Sequence, residues 1–185
     1  MAGFKFNNHF NLIGKHAILS PSRVSWQNYD DEKLIEFYNA MMAKDRGTRL
    51  HAWAAEAIEL GRKQIRNKDT VNMYINDAIG FKMETEKPLY YSERVFGTAD
   101  AICFRGKDLR IHDLKTGVTP AHMEQLYAYV ALFCLEYRYK PSQLNIETRL
   151  YQNGEVIVAN PDETIISPLM EKIIDMDKLL ERIGD

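Results

Sequence analysis

Apolar residues recur at three- and four-residue spacings over the first part of the chain, then at every second residue, and return to helical spacing twice more. Behind Asp30 and Asp31, which suit a helix N-cap, Leu34, Phe37, Tyr38 and Met41 form one stripe. Gly47 is expected to interrupt that helix. Thr48 then caps a second one to about Asn67, with Leu50, Trp53, Ala54, Ala57 and Ile58 buried and Arg62, Lys63 and Arg66 near its C-terminal end. A third, capped by Asp69 or Thr70, carries Val71, Tyr74, Ile75 and Ala78 and ends at Gly80. From Leu89 to Lys115 the period becomes two, predicting strands over 90–96, 99–104 and 109–115, the last two joined around Arg105-Gly106-Lys107-Asp108. Thr119 and Pro120 open a helix that buries Met123, Leu126, Tyr127, Val130, Phe133 and Cys134 and stops at Pro141. Strands over 144–151 and 156–159 flank Asn153-Gly154, a strong hairpin signal, and a closing amphipathic helix carries Ile165, Leu169, Ile173 and Leu180. The order α-α-α-β-β-β-α-β-β-α predicts an α/β (α+β) fold with a mixed sheet flanked by helices, not a doubly wound parallel one.

The length of 185 residues fits one domain, 1–185, read as an N-terminal segment and helix over 1–45, a core over 46–140 and a closing hairpin and helix over 141–185. Hydrophobic residues at 45% and charged residues at 27% exclude a disordered or low-complexity chain. With 24 basic against 26 acidic side chains, no whole-protein positive field advertises nucleic acid, so any such partner is held locally. Cys103 and Cys134 make neither a disulfide framework nor a four-cysteine zinc or iron–sulfur site. The opening residues interleave Lys5, Asn7, Asn8 and His9 with aromatics, unlike a signal peptide, and no apolar run reaches membrane-spanning length, so a cytoplasmic protein without a membrane partner is expected.

The hairpin around Gly106 carries the chemistry. With its turn centred between Gly106 and Lys107, Phe104 faces Leu109, Ile102 faces Ile111 and Asp100 faces Asp113, while Lys115 follows on the same side. Two apolar rungs end in a carboxylate pair. Like charges at that separation cost stability unless neutralised, and oxygen ligands so arranged suit Mg²⁺ or Mn²⁺. An adjacent lysine can orient or deprotonate the attacking water and offset developing negative charge, a combination that reads as phosphodiester hydrolysis. An Asp-x-Lys triplet by itself arises about once in every one or two proteins of average composition, so the weight falls on the register: a slip of one residue would turn one strand's set to the other face.

Four further segments fall in a recognisable order: Gly47-Thr48-Arg49-Leu50-His51 in an early helix, Gly97-Thr98-Ala99-Asp100 in a strand, Asp113-Leu114-Lys115-Thr116-Gly117 ending the next, and Gln125-Leu126-Tyr127-Ala128-Tyr129 in the following helix. On these segments the chain resembles the RecB-type branch of the PD-(D/E)XK nuclease superfamily, and Leu19-Ser20-Pro21-Ser22-Arg23 looks like the opening of many phage-encoded members. The resemblance implies a small phage or prophage exonuclease in which His51, Asp100, Asp113 and the Leu114 carbonyl hold the metal and Lys115 attends the water. It also implies that Gln125 and Tyr129, one turn apart on a helix face, organise the site and meet DNA. Glu56, Glu84 and Glu93 are candidate extra carboxylates, with Glu93, on the strand before Asp100, ranked above Glu56.

This branch also contains iron–sulfur members with four cysteines, which this chain lacks, so no cluster is expected; nor is there a phosphate-binding helicase loop. Candidate DNA contacts are Arg23, Arg46, Arg49, Arg62 and Lys63, with Trp26 and Tyr91 as stacking surfaces. The charges of the closing helix, Glu171, Lys172, Asp175, Asp177, Lys178, Glu181, Arg182 and Asp185, are expected on an exposed face turned away from DNA. The reading is a Mg²⁺- or Mn²⁺-dependent deoxyribonuclease of the bacterial host cytoplasm, acting in DNA recombination, repair or processing. Further expected partners, on the resemblance alone, are a phage annealing protein and a second copy in a homo-oligomer. Two rivals stand beside it: a catalytically silent nuclease fold serving DNA binding or protein docking, and a hydrolase of small phosphate esters.

Overall fold

The computed structural model describes Phe10 and residues 17–22, 24–117 and 119–184. Arg23 and Asp185, and the opening residues Lys5, Asn7, Asn8 and His9, lie outside the described residues. Two compact units divide the chain, Met1–Asp45 and Arg46–Asp185. In the first, a 3₁₀ turn over Val24–Asn28 is tied by the Trp26 indole N–H, which donates to the Ser20 carbonyl at 2.8 Å. Asp30 then caps helix α1, Asp31–Glu59, its Oδ1 accepting from the Lys33 N–H at 2.8 Å.

Gly47 does not interrupt α1, and Thr48 caps nothing: both lie inside one continuous helix. An internal glycine costs about 1 kcal/mol, which the alanines, methionines and leucines on either side offset. The helix stops well before Asn67 because Gly61 adopts φ +63° and closes it, with the Gly61 N–H on the Ile58 carbonyl and the Arg62 N–H on the Ala57 carbonyl. Trp53 is 44% exposed, not buried; Ala54, Ala57 and Ile58 form the inward face. Asp69 caps α2, Thr70–Phe81, accepting from the Val71 and Asn72 N–H groups, and left-handed Lys82 ends it one residue past the predicted Gly80.

The run predicted as one strand, 90–96, is the tip of a hairpin. Strand β1 spans Glu84–Ser92 and β2 spans Val95–Arg105. Ser92 Oγ accepts from the Arg94 and Val95 N–H groups, so a serine makes this turn without glycine or proline. Strand β3, Asp108–Leu114, pairs with β2 in the predicted register, Phe104 opposite Leu109, Ile102 opposite Ile111 and Ala101 opposite His112. Helix α3, Glu124–Tyr137, begins later than Thr119, because the Gln152 amide ties down backbone groups ahead of it: its Nε2 donates to the Gly117 and Thr119 carbonyls and its Oε1 accepts from the Ala121 N–H. Strands β4, Asn145–Gln152, and β5, Glu155–Ala159, meet at Asn153-Gly154, both left-handed. Helix α4, Glu163–Gly184, closes the chain.

The five strands form one mixed sheet in the order β1-β2-β3-β4-β5, antiparallel throughout except for β3 beside β4, which α3 connects. One face packs Leu89, Ile102, Leu109, Ile111 and Leu150 against Leu126, Val130 and Phe133 of α3 and Ile166 of α4. The opposite face packs Ala101, Cys103, Leu114 and Tyr151 against Ala54, Ala57 and Ile58 of α1 and Tyr74, Ile75 and Ala78 of α2. Asp177, expected on the exposed face of α4, is 8% exposed and accepts from Ser92 Oγ and Arg94 Nε, while Ile165 and Leu180, expected inside, are 45% and 48% exposed. No helix among the described residues is long and apolar enough to cross a membrane.

Candidate metal centre

The parallel pair β3–β4 brings two strand ends together, and the predicted site residues collect around the end of β3. Asp100 lies one position beyond the Ala101–His112 rung on β2, and its Oδ2 accepts from the Leu114 N–H at 2.9 Å, so the backbone of β3 fixes this carboxylate. His51, from the last turns of α1, sets Nδ1 3.4 Å from the same oxygen. The Asp100 contact pushes the His51 pKa above its ordinary value against the opposing effect of burial.

A third group joins them that the sequence reading did not include. One ligand atom from each of His51, Glu86 and Asp100 falls within 4.8 Å of the others. Glu86 stands opposite Asp100 in the β1–β2 ladder, between the pairs Thr85–Ala101 and Lys87–Ala99, and adopts φ +48°. A non-glycine residue there is strained, and such strain concentrates where the surrounding structure holds a side chain for function. Burial first and Asp100 second push its carboxyl pKa up. The turn alone was no sufficient signal: counted from the Ser92–Val95 pair, Lys87 would stand across from Asp100, and a one-residue register shift between Tyr90 and Ser92 brings Glu86 there instead.

Asp113 stands beside this trio. It is 1% exposed, and burial together with Asp100 pushes its carboxyl up to about 6. Its Oδ1 accepts from Lys115 Nζ at 3.2 Å; Oδ2 lies 3.0 Å from the same nitrogen yet makes no hydrogen bond, an unsatisfied buried oxygen. Lys115 Nζ also donates to Gln125 Oε1 at 2.7 Å, and Gln125 Nε2 donates to Tyr129 Oη at 3.3 Å. Thus Asp113, Lys115, Gln125 and Tyr129 form one polar chain, from the end of β3 to the face of α3. Two glycines of the sequence segments make room here. A Cβ on Gly97 would sit 3.0 Å from Tyr129 Cε1, and one on Gly47 would sit 2.8 Å from Thr116 Oγ1.

The donors fit a hard divalent cation: an imidazole nitrogen and carboxylate oxygens converge, and a buried oxygen of Asp113 beside them, though ion-paired with Lys115, makes no hydrogen bond. Comparison with protein-family models, with curated proteins and with solved structures gave no match.

The other candidates lie elsewhere. Glu84 pairs with Lys87, Glu56 is exposed, and Glu93 sits in the hairpin turn with its carboxylate 3.4 Å from Tyr90 Oη, so the ranking of Glu93 as the carboxylate approaching Asp100 is corrected in favour of Glu86. Cys103 and Cys134 are buried free thiols. Arg46, Arg49, Arg62 and Lys63 are exposed, whereas Tyr91 is partly buried against the core and Trp26 is held by Ser20.

Proposed function

We propose that the chain is a metal-dependent deoxyribonuclease, a PD-(D/E)XK enzyme of the RecB type that hydrolyses phosphodiester bonds. The observation that carries this reading is the convergence of His51, Glu86 and Asp100 beside the buried, incompletely bonded Asp113 and its lysine. His51, Glu86 and Asp100 would hold the cation together with Asp113, and the resemblance implies the Leu114 carbonyl as a further ligand. When bound, Mg²⁺ or Mn²⁺ supplies positive charge against the phosphodiester and acidifies water at neutral pH.

The protein's own groups do the rest. The Leu114 N–H orients Asp100, so the carboxylate is fixed before any ligand arrives. Asp113 and Gln125 hold the Lys115 ammonium between them, where it faces both the attacking water and the negative charge that builds on the phosphoryl oxygens. Water adds to phosphorus, the P–O bond to one sugar breaks, and the departing oxygen gains a proton. Tyr129 and Gln125, one turn apart on α3, flank the approach of the substrate.

The test is digestion of end-labelled linear DNA, with circular single- and double-stranded controls, in Mg²⁺, Mn²⁺ or EDTA. Metal-dependent shortening of linear DNA by the wild type, abolished by Lys115→Ala and by Asp113→Ala, is expected; cutting of circles would make the enzyme an endonuclease. DNA that is bound but never cut with either metal would refute the nuclease and leave a binding module, and hydrolysis confined to mononucleotides would replace it with a small-ester hydrolase.

A further inference from the structure

Helix α4 carries more apolar residues than the sheet covers. Ile166, Leu169, Met170 and Ile173 pack against the core, yet Met176, Leu179, Leu180 and Ile183 are 52%, 50%, 48% and 70% exposed. These exposed residues extend a second stripe beside the buried one. Lys172, Met176, Leu179 and Ile183 follow one another at spacings of four, three and four, the alternation of a coiled-coil seam, and Leu180 widens it on one flank. A monomer gains nothing from a seam that faces water, and exposed apolar patches of this kind mark interaction surfaces.

The charges beside the seam indicate what covers it. Asp175 and Arg182 are both exposed and lie on its other flank, seven residues apart, so each occupies the same position in successive repeats. In an antiparallel pair of such helices that flank meets its own counterpart, and a twofold axis between the two residues sets Asp175 of each copy beside Arg182 of the other. Parallel pairing sets neither charge against an opposite one. Four apolar residues exposed by about half or more offer on the order of 400 Å² per copy, and the polar rim of Lys172, Asp175 and Arg182 brings the contact towards the ~800 Å² a side of a stable interface. We infer that α4 pairs with α4 of a second copy of this chain, antiparallel about a twofold axis, with Met176, Leu179 and Ile183 at the centre and two Asp175–Arg182 ion pairs at the rim. The inference is independent of the nuclease reading.

Sedimentation equilibrium of the full chain tests it. A dimer with a dissociation constant of about 1–50 μM is expected. Leu179→Glu should weaken it at least 100-fold without lowering the thermal midpoint of the monomer, since that side chain lies outside the core. Asp175→Arg and Arg182→Asp should each weaken the dimer, and the two together should restore it to within about threefold of wild type. A wild-type monomer at about 200 μM, whatever else covers the stripe, overturns the inference. So does a dimer indifferent to Leu179→Glu, which assembles through another surface, and so does a charge exchange that fails to rescue.

Discussion

Replacing His112 with glutamine should make the fold less sensitive to acid. This histidine on β3 is wholly buried on the α1/α2 face of the sheet, its Nδ1 3.2 Å from Tyr151 Oη and its Nε2 without a hydrogen bond. Tyr151 donates its hydroxyl proton to Asp77 Oδ2 at 2.7 Å, so its oxygen accepts from a protonated Nδ1 and the neutral imidazole is the form that fits. Burial, and then the nearby Arg149 and Arg110 guanidiniums, push the His112 pKa down from 6.5 to about 3. A folded-state pKa below the unfolded one means that the unfolded chain takes up the proton first. Stability is therefore complete above about 6.5 and is lost as the pH falls towards 3. At 1.36 kcal/mol per unit the group removes about 2.5 kcal/mol between pH 7 and pH 4.5, and about 4–5 kcal/mol over the whole range. Asp113 acts with the opposite sign: its carboxyl, pushed up to about 6, contributes stability in acid that is lost as the pH rises through that value. The wild-type profile mixes the two, whereas the difference between wild type and His112→Gln isolates the histidine. Urea denaturation in EDTA, which keeps cations off His51 and Asp100, gives that difference at each pH. Whatever its value at pH 7, it should shift by about 2.5 kcal/mol in favour of the variant by pH 4.5; a difference constant to about 0.5 kcal/mol would show that the buried imidazole does not resist protonation.

Two other substitutions probe the site. Glu86→Gln, which keeps the shape but removes a charge, should weaken Mn²⁺ binding by calorimetry about tenfold or more while leaving the thermal midpoint nearly unchanged; unaltered affinity would remove Glu86 from the ligand set. Gly97→Val forces a side chain against the Tyr129 ring and should cost about 1–3 kcal/mol in urea, most of it recovered in the Gly97→Val/Tyr129→Ala double variant relative to Tyr129→Ala alone; additive costs would mean that the ring does not need the space.

Features that depend on near neighbours are legible in the residues alone. Period-two alternation marked β2 and β3, Gly106 centred their turn, and that fixed which residues share a face; Asp69 as a cap and Asn153-Gly154 as a hairpin turn were legible for the same reason, since each acts on backbone within a few residues. The rest depends on contacts between residues far apart in the chain. Gly47 reads as a helix breaker until the surrounding helix formers outweigh it and Thr116 fills the space beside it. Ser92 reads as part of a strand until its hydroxyl bonds the turn, and the one-residue register shift beside it, between Tyr90 and Ser92, is what sets Glu86 rather than Lys87 across from Asp100. Gln152, distant in sequence from the loop it holds, delays α3 to Glu124. On α4, helical periodicity identifies every apolar position, but only the packed sheet decides which of them meet the core, because burial depends on where the neighbouring elements end.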